Sequence, residues 1–137
     1  MPMPRILWGG AEPLSAEVKA NLVKGLSQVP GALALLAYLD GQAVGVTTAF
    51  AGFSTFAAKP LLNIHDLAVL PAYRRQGVGQ ALMDALAQLA GQRGCCKLTL
   101  EVLSENRAAQ GAYRKAGFAP YSLDEATGLA QFWQKYL

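Results

Sequence analysis

Residues 64–82 run Ile64-His-Asp-Leu-Ala-Val-Leu-Pro-Ala-Tyr-Arg-Arg-Gln-Gly-Val-Gly-Gln-Ala-Leu82, and no other stretch limits the fold and chemistry so tightly. An apolar strand through Leu67, Ala68 and Val69 breaks at Pro71, enters a basic turn and opens a strongly periodic helix. The turn Arg74-Arg75-Gln76-Gly77-Val78-Gly79 combines several anion-binding devices at one helix start. Glycines let a ligand approach the main chain closely. The first N–H groups of a helix have no internal partner, and its dipole favours negative charge there. Arginine adds fork-shaped donors suited to phosphate oxygens. The simplest ligand with matching chemistry is a pyrophosphate. A dinucleotide fingerprint would need glycine where Leu82 stands, and the Gly-Lys-Ser/Thr of a Walker loop is absent.

A second block, Leu98-Thr-Leu-Glu-Val-Leu-Ser-Glu-Asn-Arg-Ala-Ala-Gln-Gly-Ala-Tyr-Arg-Lys-Ala-Gly-Phe118, reads as a strand followed by a helix. Arg74-x-x-Gly77-x-Gly79 resembles the (Gln/Arg)-x-x-Gly-x-(Gly/Ala) motif of the GNAT superfamily of N-acetyltransferases. The second block resembles that family's next strand and helix, with its Asn and its Tyr-x-x-x-Gly-Phe ending. The two blocks, in order and at family spacing, cover residues 61–118.

Composition bounds the other classes. A chain of 137 residues is expected to be a single domain, 1–137, with a genuine core. Apolar residues make up 53% and charged residues 15%, against about 25% charged in ordinary soluble domains. The excess points to a large buried sheet or a partner-covered surface. It does not point to a membrane, because the apolar runs at Ala32–Leu39 and Ala43–Phe53 fall short of the roughly 20 residues a span requires. The net charge is +3, and the only basic cluster is Arg74/Arg75, so no nucleic-acid surface is expected. Met1–Gly10 lacks the layout of a signal peptide, which gives a cytoplasmic expectation and reduced thiols at Cys95 and Cys96. Adjacent cysteines on a strand point to opposite faces, and His65 is the single histidine, so no disulfide or metal site is expected.

Arg5–Trp8 is a short candidate strand. Leu14 to Leu26 reads as a helix with Leu14, Val18, Leu22 and Leu26 on one face. Strand-like runs at Ala32–Leu39 and Gln42–Phe53 flank the hairpin dipeptide Asp40-Gly41. Gly52–Pro60 is expected as a loop and Leu61–Leu70 as a core strand. A helical stripe follows through Val78, Ala81, Leu82, Ala85, Leu86 and Leu89. Lys97–Leu103 reads as a strand, Ser104–Ala116 as a helix closed by Gly117, and Phe118–Tyr121 with Leu129–Tyr136 as a final strand pair. The order β-α-β-β-β-α-β-α-β-β fits an α/β or α+β layer. The resemblance implies a GNAT-like mixed, mostly antiparallel central sheet flanked by helices.

The resemblance also implies the chemistry. Acetyl-CoA is the expected co-substrate, its pyrophosphate on the backbone of Gln76, Gly77, Val78, Gly79 and Gln80 beside Arg74 and Arg75. Its pantetheine arm would run along Leu67, Ala68 and Val69, where a backbone N–H would hold the oxyanion. Tyr113 matches the family's general acid. A phenol with pKa near 10 stays protonated at neutral pH and can protonate a departing thiolate, although an aromatic on an alanine-rich face also makes ordinary packing. Asn106 matches the family's cofactor-binding Asn and is equally suited to capping a helix. Glu101 within a strand is unusual, since β-structure disfavours Glu and burial of its charge is costly. Leu100-Glu101-Val102 with Asn106 and Tyr113 resembles the pattern of ribosomal-protein alanine acetyltransferases, where such a Glu is implicated as base. Asp66, His65 and a water relay remain open for that role, and Asp66 would attract a cationic amine. His65 and Asp66 fall on opposite faces of a regular strand unless a bulge intervenes. Phe53, Phe56 and Trp133 would line an apolar acceptor cleft or lie in the core.

The expected reaction is direct attack of a primary amine, on a small molecule or a peptide N-terminus, at the thioester carbonyl without a metal. The alternative is a non-catalytic acyl-CoA-binding sensor or assembly subunit. Phe132 and Trp133 on an expected edge strand suggest a homodimer.

Overall fold

Asp40 and Gly41 both take positive φ, 50° and 78°, the conformation of a tight hairpin whose twist matches its strands. They join β1 (Ala32–Leu39) to β2 (Gln42–Ser54), which turns at residues 55–58 into β3 (Lys59–Val69). A computed structural model describes residues 14–137, so the strand expected at Arg5–Trp8 lies outside the described residues. Before the hairpin lies α1 (Ala16–Ser27), capped by Ser15, whose hydroxyl accepts from Val18 N–H at 3.3 Å. After β3 come a 3-10 turn (Pro71–Tyr73), α2 (Val78–Gln92), β4 (Leu98–Leu100) and α3 (Arg107–Lys115).

The sheet order is β1-β2-β3-β4, antiparallel except for β4, which lies parallel to β3. Parallel neighbours need a crossover, and α2 supplies it. This is the expected class, a mixed and mostly antiparallel sheet flanked by helices.

Gly45, Thr47 and Ala49 of β2 pair with Val69, Leu67 and Ile64 of β3 on the face that receives α2. The helix approaches closely because Gly45 has no side chain. A Cβ there would stand 2.9 Å from Val78 Cγ1 and 3.1 Å from Leu82 Cδ1. α2 buries Val78, Leu82, Met83, Leu86 and Ala90. The expected stripe is therefore shifted: Ala81 is exposed and Met83 is buried in its stead. Val78, Leu82, Leu86 and Ala90 form one i, i+4 ridge, the kind that seats in a groove of the facing surface. Ala109 and Tyr113 of α3 join the same core.

Three expectations are corrected. The loop placed at Gly52–Pro60 is mostly ladder, with Gly52 opposite Leu61, Phe53 opposite Pro60 and Ser54 opposite Lys59. The strand placed at Lys97–Leu103 pairs only over Leu98–Leu100. The helix expected at Leu14 to Leu26 forms as α1, which buries no residue: Val18 and Leu22 are exposed and Leu26 is half-buried. The final strand pair is not formed: Phe118–Tyr121 and Leu129–Tyr136 contain no strand and share the single bond from Ala130 N–H to Tyr121 O, 3.0 Å. A three-residue β4 offers little edge to pair with, and Pro120 has no N–H to donate to a ladder. Among the described residues no helix is long and apolar enough to cross a membrane.

Candidate active site

The turn before α2 is tied to the end of β3. Leu70 N–H donates to Val44 O at 2.8 Å, and Arg74 Nε donates to Val69 O at 3.1 Å. Arg75 and Gly77 then take left-handed backbone, φ 62° and 85°. For Arg75 that conformation is strained, and such strain persists only where the surroundings enforce it. The first intrahelical bond runs from Ala81 N–H to Gly77 O, 2.9 Å, so the N–H groups of Val78, Gly79 and Gln80 lie ahead of the ladder. No side chain caps them. The Gln76 and Gln80 amides are engaged locally, with Ala72 O at 3.2 Å and Asp84 Oδ1 at 2.9 Å, which leaves main-chain donors on offer. A Cβ at Gly77 would meet nothing within 4 Å, and one at Gly79 only Val69 Cγ2 at 3.8 Å. Exposed arginines, free helix-start donors and open glycine faces fit a pyrophosphate.

The β3 residues upstream are rearranged by a bulge. Thr48 pairs with Asp66 and Ala49 with Ile64, so His65 is the extra residue. Ile64 keeps the α2 side, whereas His65 and Asp66 both serve the opposite face. The exposed His65 ring stands edge-on to Phe50, centroids 5.3 Å apart, and the Asp66 carboxylate accepts from the Thr48 hydroxyl. The register puts Asn63 and Thr99 on this same face, and half-buried Glu101 reaches Asn63 from just past the end of β4. Asn63 Nδ2 donates to Thr99 Oγ1 at 2.9 Å and lies 3.4 Å from both Glu101 oxygens. Asn63, Thr99, Thr47 and Thr48 were not singled out from the sequence. The signal available was a polar side chain set within an otherwise apolar strand run. No three His, Cys, Asp or Glu among the described residues converge as a metal-holding group.

On α3, Asn106 is the N-cap, its Oδ1 accepting from Ala109 N–H at 3.2 Å. The Gln110 amide clasps Leu103 O at 3.0 Å and Ser104 O at 2.7 Å, holding the approach to that cap. Tyr113 is 6% exposed, its ring edge-on to Phe118 at 6.0 Å. Burial pushes its phenol above the ordinary value. Among the described residues no enclosed side-chain nitrogen or oxygen lacks a partner, and no hydrogen bond is formed by the Tyr113 hydroxyl, so that oxygen lies at an opening. Phe53 and Phe56 stand exposed around the β2–β3 turn, as does Trp133 near the carboxyl end. Phe53 is five residues from Thr48 along β2, about 17 Å at strand spacing. Exposure takes all three aromatics out of the core, the other place the sequence left open for them. A cavity of about 290 Å³ lies between Lys97, Leu98 and Ala116–Phe118, away from the basic turn.

Residues 8–118 match the Acetyltransferase (GNAT) family. The chain belongs to this family. This GNAT chain is 42% identical over 87 residues to the streptothricin acetyltransferase of Streptomyces lavendulae, covering 64% of this chain and 44% of that protein. It is 42% identical over 56 residues to the ribosomal protein bS18 alanine N-acetyltransferase of Escherichia coli (strain K12), covering 41% of this chain and 38% of that protein. It spans about half the length of the curated relatives it matches. Among solved structures, AAC(6')-Iy with a bisubstrate analog superposes with TM-score 0.74 at 22% identity, over 96% of this chain and 85% of that one. The aminoglycoside 6'-N-acetyltransferase AAC(6')-IG of Acinetobacter haemolyticus gives 0.73 at 24% identity, over 97% and 86%. These two likenesses show the fold.

Proposed function

We infer that this chain transfers an acetyl group from acetyl-CoA to a primary amine by direct attack. The observation that carries the reading is the helix start at Gly77, where uncommitted N–H groups, open glycine faces and two arginines meet at the end of β3. The main chain of Gln76–Gln80 with Arg74 and Arg75 holds the pyrophosphate, and Leu67, Ala68 and Val69 accompany the pantetheine arm. Arg74 spends its Nε on Val69 O and offers its terminal nitrogens to a phosphate. Asn106 steadies the α3 start beside the arm. When bound, acetyl-CoA supplies an activated carbonyl and a thiolate leaving group. Glu101, steadied by Asn63, takes the proton from the amine, and Asp66 with His65 draws a cationic acceptor to this sheet face. Tyr113 returns a proton to the leaving sulfur. Small-molecule amines and peptide N-termini are both acceptor classes of this reading, in keeping with the named relatives. It includes a homodimer, whose support is exposed Phe132 and Trp133, though not on the edge strand expected for them, together with exposed Leu36 and Tyr38 of β1, the outermost strand among the described residues.

Acetyl-CoA binding only the folded chain should raise its Tm, by about 2.7 kcal/mol of stabilisation at a hundredfold excess over Kd. Gly77→Asp should remove most of that shift, because a carboxylate then faces the phosphates. Asp suits a helix start and tolerates positive φ better than most residues, so the fold survives the change. A Gly77→Asp protein shifted as much as the parent would overturn the assignment.

A further inference from the structure

Thr47 is the one buried polar residue among those described, with 0% exposure, and its hydroxyl donates to Asp66 O at 2.7 Å. Its location explains why a hydroxyl stands inside an apolar core. Thr47 pairs with Leu67, one step before the register slips at His65. At a bulge two residues oppose one and the ladder is locally interrupted. A buried carbonyl at such a break needs a donor, and Thr47 provides it from the α2 side. From the other face the Thr48 hydroxyl donates to the Asp66 carboxylate. Adjacent threonines on β2 thus grip Asp66 by its main chain and by its side chain, one from each face of the sheet.

We propose that Thr47 is a positioning residue: its hydroxyl holds the β3 bulge in the form that sends His65 and Asp66 to one sheet face and sets the amides of Leu67–Val69. The proposal rests on the acetyl-transfer reading for its kinetic consequence and on the hydrogen bond alone for its structural one. Thr48 is exposed enough for water to replace its hydroxyl, whereas enclosed Thr47 has no such substitute.

Two substitutions of opposite design test this. Thr47→Val keeps the shape and removes the donor. Thr47→Ser keeps the donor and removes a methyl from a close-packed site. Both should lower Tm, so stability alone does not separate them. Turnover should: a fall of about tenfold in Thr47→Val, as for a modest misplacement of reacting groups, against less than about twofold in Thr47→Ser. Amide hydrogen exchange at His65, Asp66 and Leu67 should quicken in Thr47→Val and stay near parent rates in Thr47→Ser. Should Thr47→Val not fold, Thr47→Ala takes its place, removing the donor without a new methyl against the carbonyl. Turnover that follows Tm equally in both variants, or exchange unchanged in Thr47→Val, would overturn the proposal. A parent protein that transfers acetyl to no amine, with the exchange pattern as described, would instead count against the acetyl-transfer reading.

Discussion

Tyr113 packs against Phe118 with only 6% of its surface exposed, and burial raises its phenol above the ordinary value. A raised phenol stays protonated throughout the neutral range, as a proton donor must. The same shift has a stability signature with a definite sign. It contributes stability that is fully present below the unfolded value near pH 10 and is lost as pH rises through the higher folded value. Tyr113→Phe should keep the packing, abolish that alkaline component of unfolding and leave acetyl-CoA affinity nearly intact. Turnover should fall about 10²-fold, the lower range for general acid catalysis. Steady-state kinetics with a thermal shift titration checks both halves, and unchanged turnover would return Tyr113 to packing alone. The sequence exposes such a residue because a tyrosine four positions before Gly117 stands out. It hides the joint placement of His65 and Asp66, since a period of two puts neighbours on opposite faces until a bulge, which no local residue announces, resets the count.

Among elements, those with strong local signals were legible. Asp40-Gly41 marks the hairpin and Arg74–Gly79 marks the start of α2, because each encodes its geometry in short-range chemistry. The limits of β4 and the fate of the last twenty residues were not, because a strand exists only where a neighbour pairs with it and pairing is not written locally. Glu101 reads as mid-strand in the sequence, yet it lies just past the paired residues Leu98–Leu100, where its head group reaches Asn63. Gly45 shows the same dependence on a distant partner, for its role is to admit α2. Gly45→Ala should cost about 1–3 kcal/mol of stability, the usual range for overpacking, because Val78 and Leu82 stand where the methyl must go. The same displacement should weaken acetyl-CoA binding, since Val78 opens the helix that carries the donor groups. Chemical denaturation and a binding titration measure the two effects, and a variant as stable and as tight as the parent would contradict this packing account.

At the scale of the whole molecule, 53% apolar and 15% charged content suggested a large buried sheet. The structure puts much of that apolar content elsewhere: Val23, Tyr38, Phe56, Trp133 and Tyr136 are all exposed, whereas the core draws on smaller side chains of β2, β3 and α2. What composition says about how much is apolar, it does not say about where. The chain belongs to the GNAT family and shares its fold, and the claim built on these is catalytic. Acetyl-CoA with a mixed panel of small amines and peptides, followed by free-thiol release and by the mass of the acetylated product, tests that claim most directly. The account predicts amine-dependent thiol release matched by acetylated amine, and loss of both in Gly77→Asp. Saturable acetyl-CoA binding with no release above the amine-free rate for any acceptor would contradict it and leave a non-catalytic acyl-CoA-binding module.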